Sequence, residues 1–377
     1  PIIGDLRSRP RRPIAMRTIG CEFLIKYISL HPKMHNTMRN FFYSNALWLS
    51  MIIGVVGYKW LHYGSPILPT LIFLMLFFTF CKIDPKDLRL RAWHWAVLAV
   101  QIDISIASYY LLLLLTHDVV VAQGLMMCFI MPTATAAPII AGKLGGSIQN
   151  LTTFTLLSNF ATAIVVPIFF PLIYQTAGMT FWPAFLLIIS RISPLLLGPF
   201  VAAWLLRWGY DAYHRYKTKR NPSHPSSSFE LPHALAPMPF YLWVGTIIFL
   251  MAQLTNSIIT DWTSIQLSTI IWLLVGSFIA CLIQFFAGKY IGWRLPAATK
   301  GHEYEEVLLN PNTPRDMPTI SSITAGQAFG QKNTTLGVWM AQTYLNPLSA
   351  LGAAAYIIWQ NIFNSAQLSR AAHGKRI

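Results

Sequence analysis

The residues of this 377-residue chain best suited to chemistry fall in two short segments. The first, MPTATAAP (131–138), sets Thr133 and Thr135 between two prolines. The second, AFGQKNTTLG (328–337), places Gln331, Lys332, Asn333 and Thr334 between two glycines. Both lie in apolar runs, where an ionisable side chain is costly and therefore a functional candidate by default. Carboxamides, hydroxyls and one fixed cation can hold an anion or coordinate an ion, but they supply no nucleophile–base pair. Outside these segments, Gln101 and Thr155 are polar candidates, and Asp103 and Arg191 are the other ionisable residues inside apolar runs. Asp103 could pair with Lys332 or Arg191, or carry a coupling proton. It follows Gln101 by two residues, roughly 200° round a helix, so the two face different sides. The ten histidines offer no HExxH spacing, and there is no Gly-x-Ser-x-Gly elbow, Walker loop or second buried aspartate. The expectation is that the chain is not an enzyme. Cys21, Cys81, Cys128 and Cys281 are scattered and read as small packing residues rather than a disulfide framework or metal site.

The elements that must position these residues follow from composition. Hydrophobic residues make up 54% of the chain and charged ones 11%, against about 25% charged in an average soluble domain. A soluble fold of this size could not hide so much apolar surface; a bilayer removes the need to. Runs long enough to be membrane helices lie near 41–61, 66–81, 92–116, 119–142, 147–174, 179–206, 240–256, 266–288, 320–343 and 345–368. With ten spans and an inner N-terminus, 25 of the 28 Lys and Arg fall on the inner side, the charge pattern of a cytoplasmic face. Both termini are expected to be cytoplasmic, in a bacterial inner membrane. The net charge of +15 needs no nucleic-acid partner, because it is spread over every inner loop. Residues 1–40 are basic and read as a cytoplasmic segment on the anionic inner surface, with Met16 an alternative to Pro1 as the start. The membrane domain is expected over 41–370, with a Pro/Ser-rich cytoplasmic linker over 208–239 and a tail over 371–377.

Two of the ten runs are peculiar. Pro132 and Pro138 each remove a backbone donor within the fourth, and Gly326 and Gly330 interrupt the ninth. Irregular backbone at membrane depth is tolerated only where protein or a water-filled cavity surrounds it. Two such breaks, five spans apart, point to an all-α transmembrane transporter of two inverted five-helix repeats, about 41–174 and 179–370. The breaks then meet near the midplane.

At this point the chain resembles the bile acid:sodium symporter family. The resemblance runs from about 41 to 370 and rests on TFCKIDPKDLR, MPTATAAP, SPLLLGPF, AFGQKNTTLG and YIIWQNIFNSAQL in that order. It implies crossing fourth and ninth helices in a core domain, a panel domain beside it, and alternating access. It also implies two sodium sites, which this chain has largely lost. The family pattern Cys-Pro-Gly-Gly-Thr-Ala-Ser-Asn is matched here by Met131 to Pro138, so the sodium-binding Ser and Asn are Ala137 and Pro138. The pattern Glu-x-Gly-x-Gln-Asn becomes Ala328 to Asn333, with Ala328 for the shared carboxylate and Lys332 for the Gln. Gln101, Thr155 and Asn333 survive. An ammonium in place of a carboxylate repels a hard cation by several kcal/mol in a partly buried site. The expectation is a carrier of a small organic anion, a bile-acid-like molecule or another carboxylate, with sodium coupling lost or weakened. It needs no cofactor beyond a coupling sodium or proton; its oligomeric state is open. The alternatives are a sodium-coupled bile acid symporter proper, or a membrane sensor or channel.

Overall fold

The computed structural model describes residues 45–83, 88–174, 178–220, 229, 231–232, 235–261, 266–296 and 316–373. The basic segment 1–40, most of the 221–234 part of the linker, and residues 374–377 of the tail lie outside the described residues. The chain divides into two units, Pro1–Leu49 and Ser50–Ile377. In the first, residues 45–49 are described and helical. Apart from residues 45–49 of the first helix, everything below concerns the second.

All regular structure among the described residues is helical. In chain order the helices are α1 (Asn45–Val56), α2 (Tyr58–Phe80), α3 (Ala92–Thr116), α4 (Val119–Ile130), α5 (Ala137–Lys143) and α6 (Ile148–Ile173). They continue with α7 (Phe181–Arg220), α8 (Met238–Thr260), α9 (Leu267–Arg294), α10 (Met317–Gly330), α11 (Thr334–Tyr344) and α12 (Ala350–Ala372). Six of these, α2, α3, α6, α7, α8 and α9, are long and apolar enough to cross a membrane. Their outward surfaces carry bare apolar side chains such as Leu114, Trp182 and Leu267, about 70% exposed each. In water that would be an aggregation surface; in lipid it costs nothing. The protein is an α-helical membrane protein.

The helix starts are written locally. Asp118 opens α4, its carboxylate accepting from Val120 N at 2.8 Å, and Ser147 opens α6, accepting from Asn150 N at 3.2 Å. Asp316 does the same for α10 and Asn333 for α11. Each side chain satisfies one of the donors that a helix start leaves orphaned. Small residues set the closest packing. On α9, a Cβ at Gly288 or Gly292 would strike the carbonyls of Ala325 and Ser321, so the backbones of α9 and α10 touch.

Several boundaries differ from the sequence reading. The runs 41–61 and 66–81 were expected as two spans with a turn between; α1 instead ends at Val56, and Tyr58–Phe80 is continuous, its middle (His62–Ile67) wound as a 3-10 helix around Pro66. The sixth run was expected to end at 206, but α7 continues to Arg220. Hydropathy marks where lipid ends, not where the helix ends. The fourth and ninth runs each appear as two short helices, and α12 is long but carries Gln360, Asn361, Asn364 and Gln367, which leave it less apolar than a free-standing span.

Candidate functional site

Residues 131–136 follow α4 and residues 331–333 follow α10, and the two stretches pair with each other. Thr133 and Lys332 form an isolated antiparallel bridge. Asn333 N donates to Pro132 O at 2.7 Å, and Ala134 N donates to Gln331 O at 2.9 Å. Extended backbone with unmet hydrogen bonds is untenable in a bilayer unless its partners are internal. Here each stretch is the other's partner.

An antiparallel bridge has a local two-fold axis, and the side chains obey it too. Thr133 Oγ1 donates to the carbonyl of Ala328 at 2.6 Å, four residues before Lys332. Lys332 Nζ donates to the carbonyl of Phe129 at 3.0 Å, four residues before Thr133. Thr133 N donates to Ser158 Oγ on α6 at 3.1 Å, and Lys332 N donates to Gln360 Oε1 on α12 at 2.9 Å. Each residue at the bridge thus reaches into the last turn of the opposite helix and is held by the helix behind it.

The end of α4 shows why donors gather there. The last carbonyls of a helix have no partner within it. Gln284 of α9 donates to Cys128 O at 3.1 Å, Lys332 to Phe129 O, Thr162 of α6 to Ile130 O at 3.4 Å, and Gln101 of α3 to Met131 O at 3.1 Å. The partial negative charge at a helix C-terminus favours a cation, and the ammonium of Lys332 supplies one. It also lies over the Phe329 ring, 4.8 Å from its centroid. At 1% exposure Lys332 is enclosed, and neither Asp103 nor Arg191 reaches it, since both are exposed on their helices. Of the roles open to Asp103, pairing with Lys332 is therefore not made: the period of α3 turns Gln101 inward and Asp103 outward.

The other expected residues divide. Thr133, Lys332, Asn333 and Gln101 are brought together at the bridge. Gln331 binds Gln327 on its own helix, whose amide in turn reaches Gln367 Oε1 at 2.5 Å. Thr334 is buried and starts α11, with its N–H on Lys332 O at 2.9 Å. Thr155 turns back to Leu151 O in its own helix at 3.0 Å, and Thr135 is half-buried in the first break. Ala137 and Pro138 open α5, and Ala328 is buried in a cluster with Trp93, Phe154 and Phe329. At the end of α4, Gln101 Oε1 and Gln284 Oε1 are buried without a hydrogen-bond partner. Residues not anticipated are Ser158, Thr162, Gln284, Gln360 and Tyr356, whose hydroxyl donates to Gly330 O at 2.8 Å and accepts from Gln284 Nε2 at 3.0 Å. The signal for Gln360 was present: with Asn364 and Gln367 it makes a polar stripe at i, i+4, i+7 along an otherwise apolar run.

Compared with known proteins, the chain matches no family model and no curated sequence.

Proposed function

We propose that this protein is a secondary carrier of a small organic anion, working by alternating access on a scaffold like that of the bile acid:sodium symporter family, which its sequence resembles. In this reading α4–α5 and α10–α11 are two discontinuous helices, crossing as the corresponding members of two inverted five-helix repeats. The observation that carries it is the bridge of Thr133 with Lys332, together with the reciprocal donation of their side chains. Discontinuous helices that meet back to back are how carriers build a site at membrane depth. The tight enclosure of Lys332 favours one role among those its charge allows. Its ammonium is committed to Phe129 O and the Phe329 ring, so it acts as a tethered cation in the place a coupling sodium would occupy. Transport is then independent of sodium.

Reconstitution tests this. Labelled organic anions such as taurocholate, pyruvate and lactate are screened for counterflow in proteoliposomes, with sodium replaced by choline. The expected result is counterflow of at least one anion, unchanged by the replacement. Steep dependence on sodium refutes the tethered-cation reading. Conductive flux without counterflow identifies a channel instead, and absence of flux for every anion class leaves the sensor reading.

A further inference from the structure

We propose that the C-terminal ends of α9 and α12 form a binding site for an anionic phospholipid, its phosphate held by Lys289, Arg370 and the carboxamide of Gln367. The site is separate from the crossing and rests on the protein lying in a bilayer, not on the transport reading. Lys289 is half-buried, and its stem fills the space that the missing side chain of Gly326 leaves on α10. The next residue, Gln327, donates to Gln367 Oε1, which turns the other end of that carboxamide away: Gln367 Nε2 is a donor with no partner, on a residue 5% exposed. Arg370 stands three residues further along α12, on the same face, and within electrostatic range of Lys289. Two like charges and a buried orphan donor thus share one corner.

That arrangement is unfavourable as it stands. Like charges repel, and an unmet buried donor costs about 1–3 kcal/mol. One oxyanion relieves both defects at once. A lipid headgroup fits better than a soluble anion because of what adjoins the corner. Phe286, Tyr290 and Trp293 lie at i, i+4, i+7 on α9, each more than half exposed, and form a stripe on which an acyl chain can lie. Arg294 sits over the Tyr290 and Trp293 rings, at 5.4 and 5.3 Å from their centroids, an arrangement typical of the membrane–water boundary. Basic pockets between helix ends at that depth take phosphate headgroups.

Native mass spectrometry of the delipidated full chain, titrated with phosphatidylglycerol, phosphatidylcholine or inorganic phosphate, tests the proposal. The expected result is retention of phosphatidylglycerol well above phosphatidylcholine, with inorganic phosphate competing poorly. Each basic residue near the surface contributes about fivefold, so K289Q/R370Q should bind phosphatidylglycerol roughly 30-fold more weakly. Arg370→Gln alone, at an exposed position where folding is not at risk, should give about fivefold. Equal retention of the two lipids, or unchanged phosphatidylglycerol binding in either variant, overturns the site. Inorganic phosphate matching phosphatidylglycerol overturns the lipid as its occupant.

Discussion

Replacing Lys332 by methionine keeps most of the side chain's length and removes its charge, which separates the two things the lysine does. Enclosing an ammonium costs several kcal/mol. Against this stand a charge-assisted hydrogen bond to Phe129 O, about 1.5–3 kcal/mol, a desolvated contact with the Phe329 ring, about 2, and the helix C-terminus, up to ~2. The two sides nearly balance. Met at 332 forfeits these returns and escapes the penalty, leaving mainly the unmet Phe129 carbonyl. Its stability should therefore lie within about 3 kcal/mol of the native chain. Lys332→Ala also opens a cavity and should cost a further ~2–5 kcal/mol. Cys81, Cys128 and Cys281 are buried free thiols, so a thiol-reactive dye followed during heating reports unfolding directly. Counterflow, by contrast, should vanish in both variants, because neither holds a cation at the crossing. If K332M melts as early as K332A, the balance is wrong and the charge holds the fold. If K332M still transports, the ammonium has no part in the mechanism.

Further outcomes follow from neighbouring features. Gly292→Ala should lower the melting temperature sharply, since its Cβ would meet the Ser321 carbonyl; Gly245→Ala on α8, with open space around it, should gain about 0.5–1 kcal/mol. Thr133→Val should lose about 1–3 kcal/mol by orphaning the Ala328 carbonyl, and Thr133→Ser should recover most of it, both read by the same melting assay. Asp103→Asn, at an exposed position, should leave melting and counterflow unchanged; loss of flux would place Asp103 in the mechanism after all.

Much of the helical frame was legible because lipid solvation leaves a plain record in hydropathy. The run 92–116 is α3 to the residue, and 147–174 is α6 within one residue at either end. Pro132 and Gly330 lie at the ends of α4 and α10 and act on the local backbone without tertiary context, whereas Gly326, read as a second interruption of the ninth run, lies inside α10 and packs against Lys289. Contacts were harder to read. That Thr133 and Lys332 face each other depends on two segments far apart in the chain, and nothing local in either names the other. That Gln101 and Asp103 face different sides could be read from helical period, but which of them turns inward could not. The choice of Phe129 O as the partner of Lys332 could not, because a main-chain carbonyl carries no sequence signature. Gln284 escaped notice for a related reason: a single carboxamide in an apolar run is as readily a packing residue as a hydrogen-bond donor.

The bridge between positions 133 and 332 also has a consequence for how the chain is made. Pro132 O and Ala134 N emerge from synthesis about 200 residues before Gln331 and Asn333 exist to meet them. Until then the first half carries an open seam, with polar backbone that cannot be left facing lipid. The early helices must wait in a shielded or shallow position, and the seam closes only when α10 arrives. A ribosome-bound chain stopped after α9 should accordingly be held by insertion machinery or cleared, whereas one stopped after α11 can close. Assembly of this membrane protein is then governed by its last third, and damage there strands the part already built.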